Sequence, residues 1–232
     1  KLDNRELRSS AEQLLKYFLT GVRLPNSVFW VNLRPDSPDN VIDPHLEKTD
    51  VGRILLEADL QLKKDLARFT DPGTKEGEEY WDKLYQKAEG SFGTGDIEIP
   101  AITRPWIVPS EIVVGESGNT AYVYKAVLKV MLEQDYLKDA VGFKFEDPRY
   151  KDLNEYSSEL IRKSILPKLS REVNSSRRYA ALRQVFYSLI LAQWFKAKFR
   201  SASGIDTKDL AGLASNAQWS KAAYFNAYKK SF

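Results

Sequence analysis

A polar loop between residues 34 and 45 carries the side chains best suited to binding chemistry. Asp36, Asp39, Asn40 and Asp43 offer three carboxylates and one amide, the oxygen ligands that calcium prefers. Their spacing differs from that of an EF-hand loop, which has oxygens at every second position and a central glycine. Since Asp and Asn also initiate turns, the sequence predicts turns here, with calcium as the alternative and no other cofactor.

Further charged residues flank this loop. Arg34 follows an apolar run at 27–33 that predicts a buried strand, and its guanidinium can hold a carboxylate through two hydrogen bonds. His45 is the only histidine in the chain, which excludes His-rich metal sites. The sequence therefore predicts ligand-binding residues at Arg34, Asp36, Asp39, Asp43, His45 and Arg53.

A structural interpretation of the same charges stays open. Arg53 and Glu57 stand four residues apart in a predicted helix and, with Arg34 and Asp59, can form an ion-pair network. Glu57 and Asp59 project about 200° apart on that helix, so they do not form the paired carboxylates of a glycosidase.

Common catalytic motifs are absent from the sequence. It has no cysteine, no glycine-rich phosphate loop and no nucleophile elbow, so the catalytic residues are unknown and a non-enzymatic role is favoured. The alternative is a hydrolase that assembles carboxylate, serine or tyrosine side chains from distant segments. Asp36, Asp43 and His45 are the residues to test for it.

Charge is distributed unevenly along the chain. Residues 1–148 hold 19 basic and 26 acidic side chains, whereas residues 149–232 hold 16 and 6. The basic part suggests a third function, nucleic-acid binding, because arginines and tyrosines are interleaved there. Its helical period and intervening acids favour a solvated or paired helix face instead. The residues concerned are Lys163, Lys168, Arg171, Arg177, Arg178, Tyr179, Arg183 and Tyr187.

The predicted elements run in the order helices, strands, helices. Helices are expected from Asp3 to about Gly21, after Thr49, over 75–88, from Tyr150 with a bend near Pro167, and over 178–200. Short strands are expected at 97–99, 106–108 and 111–114, before a hairpin loop at 115–119 and a return strand at 122–132. We therefore predict one α+β domain over 1–232, with an acidic part (1–148) and a basic helical part (149–232). Four to five antiparallel strands would be covered by five to six helices.

No stretch is long enough to cross a membrane. The densest apolar run, Val185–Phe195, is shorter than the roughly 20 residues a span needs, and predicts a buried helix. The only methionine is Met131, so a chain that begins at Lys1 is expected to be a processed chain or a piece of a longer one.

Several blocks within about 28–200 have distinctive wording: Val28–Asp36 (VFWVNLRPD), Asp39–Pro44, Thr49–Lys64 (TDVGRILLEADLQLKK), Arg104–Pro109 (RPWIVP), Leu182–Tyr187 and Trp194–Phe195. Together they resemble an uncharacterised family of large bacterial proteins. The resemblance brings no activity, cofactor or site residue, but implies a module of a long, exported or envelope-associated polypeptide. The expected function is a structural or ligand-binding module, whose partner is the rest of that polypeptide or another protein.

Overall fold

A computed structural model describes residues 4–23, 49–95, 97, 99, 104–118, 120–137 and 147–203. It confirms the α+β class, with mostly helical structure and one antiparallel hairpin. In chain order the elements are α1 (Asn4–Arg23), α2 (Asp50–Phe69), α3 (Lys75–Phe92), β1 (Pro105–Ser117), β2 (Thr120–Leu132), α4 (Glu133–Leu137), α5 (Pro148–Leu160), a π-helix (Ile161–Ile165), α6 (Leu166–Ser175), a 3-10 turn (Arg177–Tyr179) and α7 (Ala180–Ser203).

These elements divide into two compact units. Unit 1 draws its described residues from Lys1–Ala58, Pro109–Leu128 and Arg177–Phe232, and unit 2 from Asp59–Val108 and Lys129–Ser176. The chain passes from one unit to the other within α2 and within both strands. One domain over residues 1–232 stays a prediction.

Unit 1 is built on the contact between α1 and α7. Gly21 of α1 lies so close to α7 that a Cβ atom there would stand 2.7 Å from Ala192 Cβ. One turn earlier, the Phe18 ring meets the Phe195 ring edge-on, with centroids 5.8 Å apart. The pairing of 18 with 195 and of 21 with 192 shows that the two helices run antiparallel.

The buried face of α1 differs from the predicted stripe. The three- and four-residue spacing of five apolar residues predicts an inward face formed by Leu7, Ala11, Leu14, Phe18 and Val22. The first three are exposed, the last two are half-buried, and the buried residues of α1 are Tyr17 and Gly21. A hydrophobic pattern locates a core face only where a partner element lies against it. Because α7 approaches α1 closely at Gly21, a side chain there would collide with α7. Hydropathy does not identify such a position as buried.

The predicted sheet of four to five strands is not supported, because the described residues form a sheet of two strands. Ile97 and Ile99 are not in a strand, and the predicted strand at 27–33 lies outside the described residues. The expected strands at 106–108 and 111–114 are one strand, which runs through Pro109. In the described part, β1 is hydrogen-bonded to a neighbour on one side only. A proline is compatible with such a strand, because its missing N–H can lie at the edge that has no neighbouring strand.

Unit 2 packs α3 against α5. Tyr80, Leu84 and Ala88 of α3 are buried, and the Tyr80 hydroxyl lies 2.8 Å from Ser157 Oγ within this contact. The Thr74 side chain caps α3 by accepting from Gly77 N at 3.1 Å, which accounts for the start of the helix at Lys75.

The helix predicted from Tyr150 continues past its proline through a π-helical turn. Leu166 N donates to Ile161 O, five residues back, at the end of that turn. Pro167 follows directly and has no N–H, and its ring would collide with the carbonyl of Lys163 in a regular α-helix. The wider turn relieves this collision, so the chain remains helical from Pro148 to Ser175.

No helix in the described ranges is both long and apolar enough to cross a membrane. The predicted helix over Val185–Phe195 lies within α7, where Val185, Phe186, Leu189, Ile190 and Ala192 are buried.

Candidate functional site

Most of the predicted binding residues lie outside the described residues. Arg34, Asp36, Asp39, Asn40, Asp43 and His45 all fall between residues 24 and 48, so the calcium alternative and the hydrolase residues stay predictions. Among the residues that the structure describes, no group of three or more His, Cys, Asp or Glu side chains converges as metal ligands do. Arg53 is the predicted site residue whose surroundings are visible.

Arg53 pairs with a different carboxylate from the predicted one. Its guanidinium lies 3.1 Å from Asp50 Oδ1, three residues earlier on α2, and not against Glu57. Both partners are sterically possible for an arginine on a helix, because three- and four-residue spacings share a face. Glu57 is exposed while Asp59 is buried, which confirms that these two carboxylates occupy different faces.

The start of α2 is fixed by a helix cap. Gly52 N donates to Thr49 Oγ1 at 3.1 Å, and Arg53 N donates to Thr49 O at 3.0 Å. This confirms the predicted cap and holds Asp50 in the first turn, where a carboxylate is favoured by the partial positive charge of the helix N-terminus.

A cleft in unit 1 opens beside this helix start. It has a volume of about 370 Å³, within the range of small-molecule sites, and lies between the C-terminal half of α1 and the first residues of α2. Its lining residues are Lys16, Tyr17, Leu19, Thr20, Arg23, Thr49, Asp50 and Val51.

The basic and acidic side chains of the cleft differ in whether they have partners. Lys16 and Arg23 are exposed and, within the described part of the chain, form no ion pair. The carboxylate of Asp50 is already engaged by Arg53. The cleft therefore presents two cations without carboxylate partners, and a ligand with a negative group would match them.

Tyr17 is the buried member of this cleft. Its hydroxyl accepts a hydrogen bond from Gln13 Nε2. Burial raises the pKa of the Tyr17 hydroxyl, and the nearby Asp50 acts in the same direction, against the smaller opposing effects of Gln13 and Arg53. The phenol therefore remains protonated and neutral at physiological pH.

The basic residues of the C-terminal part are partly committed to ion pairs. Lys163 pairs with Glu159 on the same helix, and Lys168 lies 3.1 Å from Glu76 Oε1 of α3. Tyr179 is buried, so its ring is not available for stacking on a base. The two lysines therefore fit the predicted ion-paired helix face, whereas Tyr179 belongs to the core.

The described tryptophans are hydrogen-bonded within the protein. Trp81 Nε1 donates to Thr70 O at 2.7 Å, and Trp106 Nε1 donates to Glu133 Oε2 at 3.3 Å. The second bond joins the start of β1 to the residue after β2. These two hydrogen bonds stabilise the ends of the elements that they join.

Comparisons with known proteins give no relatives: no family model, no curated protein and no solved structure matches this chain.

Sequence reasoning overlooked the contribution of α1 to the site. Lys16 and Arg23 were not predicted as binding residues, because isolated basic residues are ordinary on an exposed helix face. The available signal is their seven-residue separation, which places them about two turns apart on one side of α1, without a carboxylate between them on that side.

Proposed function

We propose that this chain is a non-enzymatic binding module of a larger bacterial polypeptide, and that the unit 1 cleft binds a small ligand through a carboxylate or phosphate group. The observation that carries the proposal is a cleft of about 370 Å³ lined by two cations, Lys16 and Arg23, that form no ion pair with any residue that the structure describes. The resemblance to large bacterial proteins supports the assignment to a larger polypeptide.

Arg53 has a supporting role in this proposal. By holding Asp50 at 3.1 Å it neutralises the carboxylate that would otherwise repel an anion in the cleft. Removal of the Arg53 charge is therefore expected to weaken anion binding, even though Arg53 does not line the cleft.

The experiment is a titration of the full chain, followed by calorimetry or amide NMR, with inorganic phosphate and with citrate. Lys16→Gln and Arg23→Gln are each expected to weaken binding about two- to fivefold, the range for exposed ion pairs. Arg8→Gln is the matched control, since Arg8 is an exposed cation of α1 that does not line the cleft.

Two results would contradict the proposal. One is the absence of binding by either anion at low ionic strength, where such contacts are strongest. The other is an equal loss of affinity in Arg8→Gln, which would indicate a general attraction to a basic helix.

A further inference from the structure

The π-helical turn of unit 2 forms one wall of a second, smaller pocket. Its other wall is α3, and the pocket has a volume of about 50 Å³. One buried water needs about 10–15 Å³, so the pocket has room for roughly four waters or for a ligand of a few non-hydrogen atoms. The lining residues are Glu76, Glu79, Tyr80, Lys83, Leu160, Ser164, Ile165 and Lys168.

Half of the charged groups in this pocket already have partners. Lys168 Nζ lies 3.1 Å from Glu76 Oε1 and 5.7 Å from the centre of the Phe69 ring. The hydrogen bond from Lys168 lowers the pKa of the Glu76 carboxyl, which keeps the pair ionised at neutral pH. This pair contributes no net charge to the pocket.

The other polar side chains of the pocket are not engaged. Glu79 and Lys83, one turn apart on α3, form no ion pair or hydrogen bond with any described residue, and neither does the Ser164 hydroxyl. A carboxylate, an ammonium and a hydroxyl, all on exposed residues, therefore line a space of a few atoms. A ligand with a single charge would match one of the two ions and leave the other without a partner.

We infer that this pocket binds a small zwitterion, with its ammonium at Glu79 and its carboxylate at Lys83. The volume limits the ligand to the size of glycine or to the matching end group of a longer molecule. Leu160 and Ile165 supply an apolar wall, and Tyr80 is fixed by its bond to Ser157. The inference does not depend on the cleft in unit 1.

The wide turn is what places Ser164 and Ile165 beside α3. Pro167 prevents a regular α-helical turn here, and π-helical turns of this kind are frequent at functional sites. An ordinary α-helix through residues 161–165 would rotate these side chains relative to α3 and remove one wall of the pocket.

The test is an amide NMR titration of the full chain with glycine in the millimolar range, beside acetate and methylammonium as single-charge analogues. Glycine is expected to shift the amide signals of Ser164 and Ile165 saturably, with an affinity about two- to fivefold above that of either analogue, since each analogue lacks one contact with an exposed charge.

Substitutions inside and outside the pocket test where glycine binds. Glu79→Gln and Lys83→Gln are each expected to weaken glycine binding about two- to fivefold, the range for exposed ion pairs, while Glu78→Gln and Lys75→Gln, exposed neighbours on α3 outside the pocket, leave it unchanged. Each variant is checked for an unaltered thermal midpoint. Unsaturable shifts, acetate or methylammonium binding as well as glycine, or equal losses in the control variants would each overturn the inference.

Discussion

Glu116, at the turn end of β1, accepts a hydrogen bond from the indole N–H of Trp194 at 2.9 Å, although 78 positions separate the two residues. Lys198, one helical turn after Trp194, lies 3.0 Å from the same carboxylate oxygen. One carboxylate thus fixes the tip of the hairpin to α7 within unit 1.

This relationship predicts a loss of stability in acid. The hydrogen bonds from Trp194 and then Lys198 lower the pKa of the Glu116 carboxyl from its ordinary 4.5. The unfolded chain therefore binds the proton more tightly, so the stabilisation is complete above about pH 5 and declines as pH falls through the folded pKa. Glu76, Asp147 and Glu159 are shifted in the same direction by Lys168, Arg149 and Lys163.

Urea unfolding between pH 7 and pH 3 measures this dependence. Glu116→Gln is expected to reduce the slope of unfolding free energy against pH, and Trp194→Phe, which removes the first donor, to change it in the same direction. An unchanged slope in Glu116→Gln would show that this contact does not contribute.

Gly21 and Gly90 form a matched pair of helical glycines with opposite expected responses. Gly21→Ala is expected to destabilise unit 1 by about 1–3 kcal/mol, because the added Cβ meets Ala192 and Leu189 at less than 3 Å. Gly90→Ala in α3 meets nothing within 4 Å, so it is expected to stabilise by about 0.5–1 kcal/mol through helix propensity. The urea midpoints of the two variants, compared with that of the unmutated chain, test both expectations. A Gly21→Ala midpoint as high as that of Gly90→Ala would contradict the close packing of α1 on α7.

A second glycine is required for the turn before α3. A Cβ on Gly77 would stand 1.8 Å from the Asp71 carbonyl oxygen, so the turn folds back over a position that only glycine permits. Gly77→Ala is expected to displace this turn and cost about 1–3 kcal/mol of unfolding free energy. Gly93→Ala removes the left-handed C-cap of the same helix and serves for comparison. The backbone amide of residue 77 donates to Thr74 Oγ1. Its protection against hydrogen exchange should fall in Gly77→Ala and stay unchanged in Gly93→Ala.

Two adjacent serines of α5 are expected to behave differently when truncated. Ser157→Ala leaves the buried Tyr80 hydroxyl without its partner and should cost about 1–3 kcal/mol. Ser158 Oγ is buried and has no hydrogen-bond partner among the described residues, so Ser158→Ala should be neutral or slightly stabilising.

A double-mutant cycle with Tyr80→Phe completes this test. The cost of Tyr80→Phe together with Ser157→Ala should be smaller than the sum of the single costs, because neither group is then left unpaired. Additive costs would mean that the 2.8 Å contact contributes nothing to stability.

Local signals predicted the helices well and the sheet poorly. The cap at Thr49 and the apolar spacing along α2 act within one helix. Of the six residues in that predicted stripe, four are buried and the last two, Leu66 and Phe69, are half-buried; the buried ones are Val51, Leu55, Ala58 and Leu62. Pro109 interrupts a strand pattern in sequence. Proline is tolerated in β1 because that strand has a single neighbour in the described part, so one of its edges needs no N–H donor. The number of neighbours of a strand depends on residues distant in sequence, so it cannot be deduced from the local pattern.

The candidate sites show the same division. The helix start that carries Arg53 was predictable, but helix spacing alone allows either Asp50 or Glu57 as its partner. The cleft residues of α1 depend on how α1 and α2 pack. Pro167 signals a disturbed helix, yet sequence cannot distinguish an end, a kink and a π-helical turn, because all three relieve the same collision.

The antiparallel packing of α1 on α7 also sets an order of events during synthesis. About 150 residues separate the end of α1 from the start of α7, so a ribosome adding roughly 5–20 residues per second takes on the order of ten seconds or more to provide the partner. Every described segment of unit 2 is complete before α7 emerges. Until then Phe18 has no Phe195 ring to pack against, and Gly21 has no neighbour at Ala192. The face of α1 that α7 covers in the folded unit is therefore exposed throughout that interval.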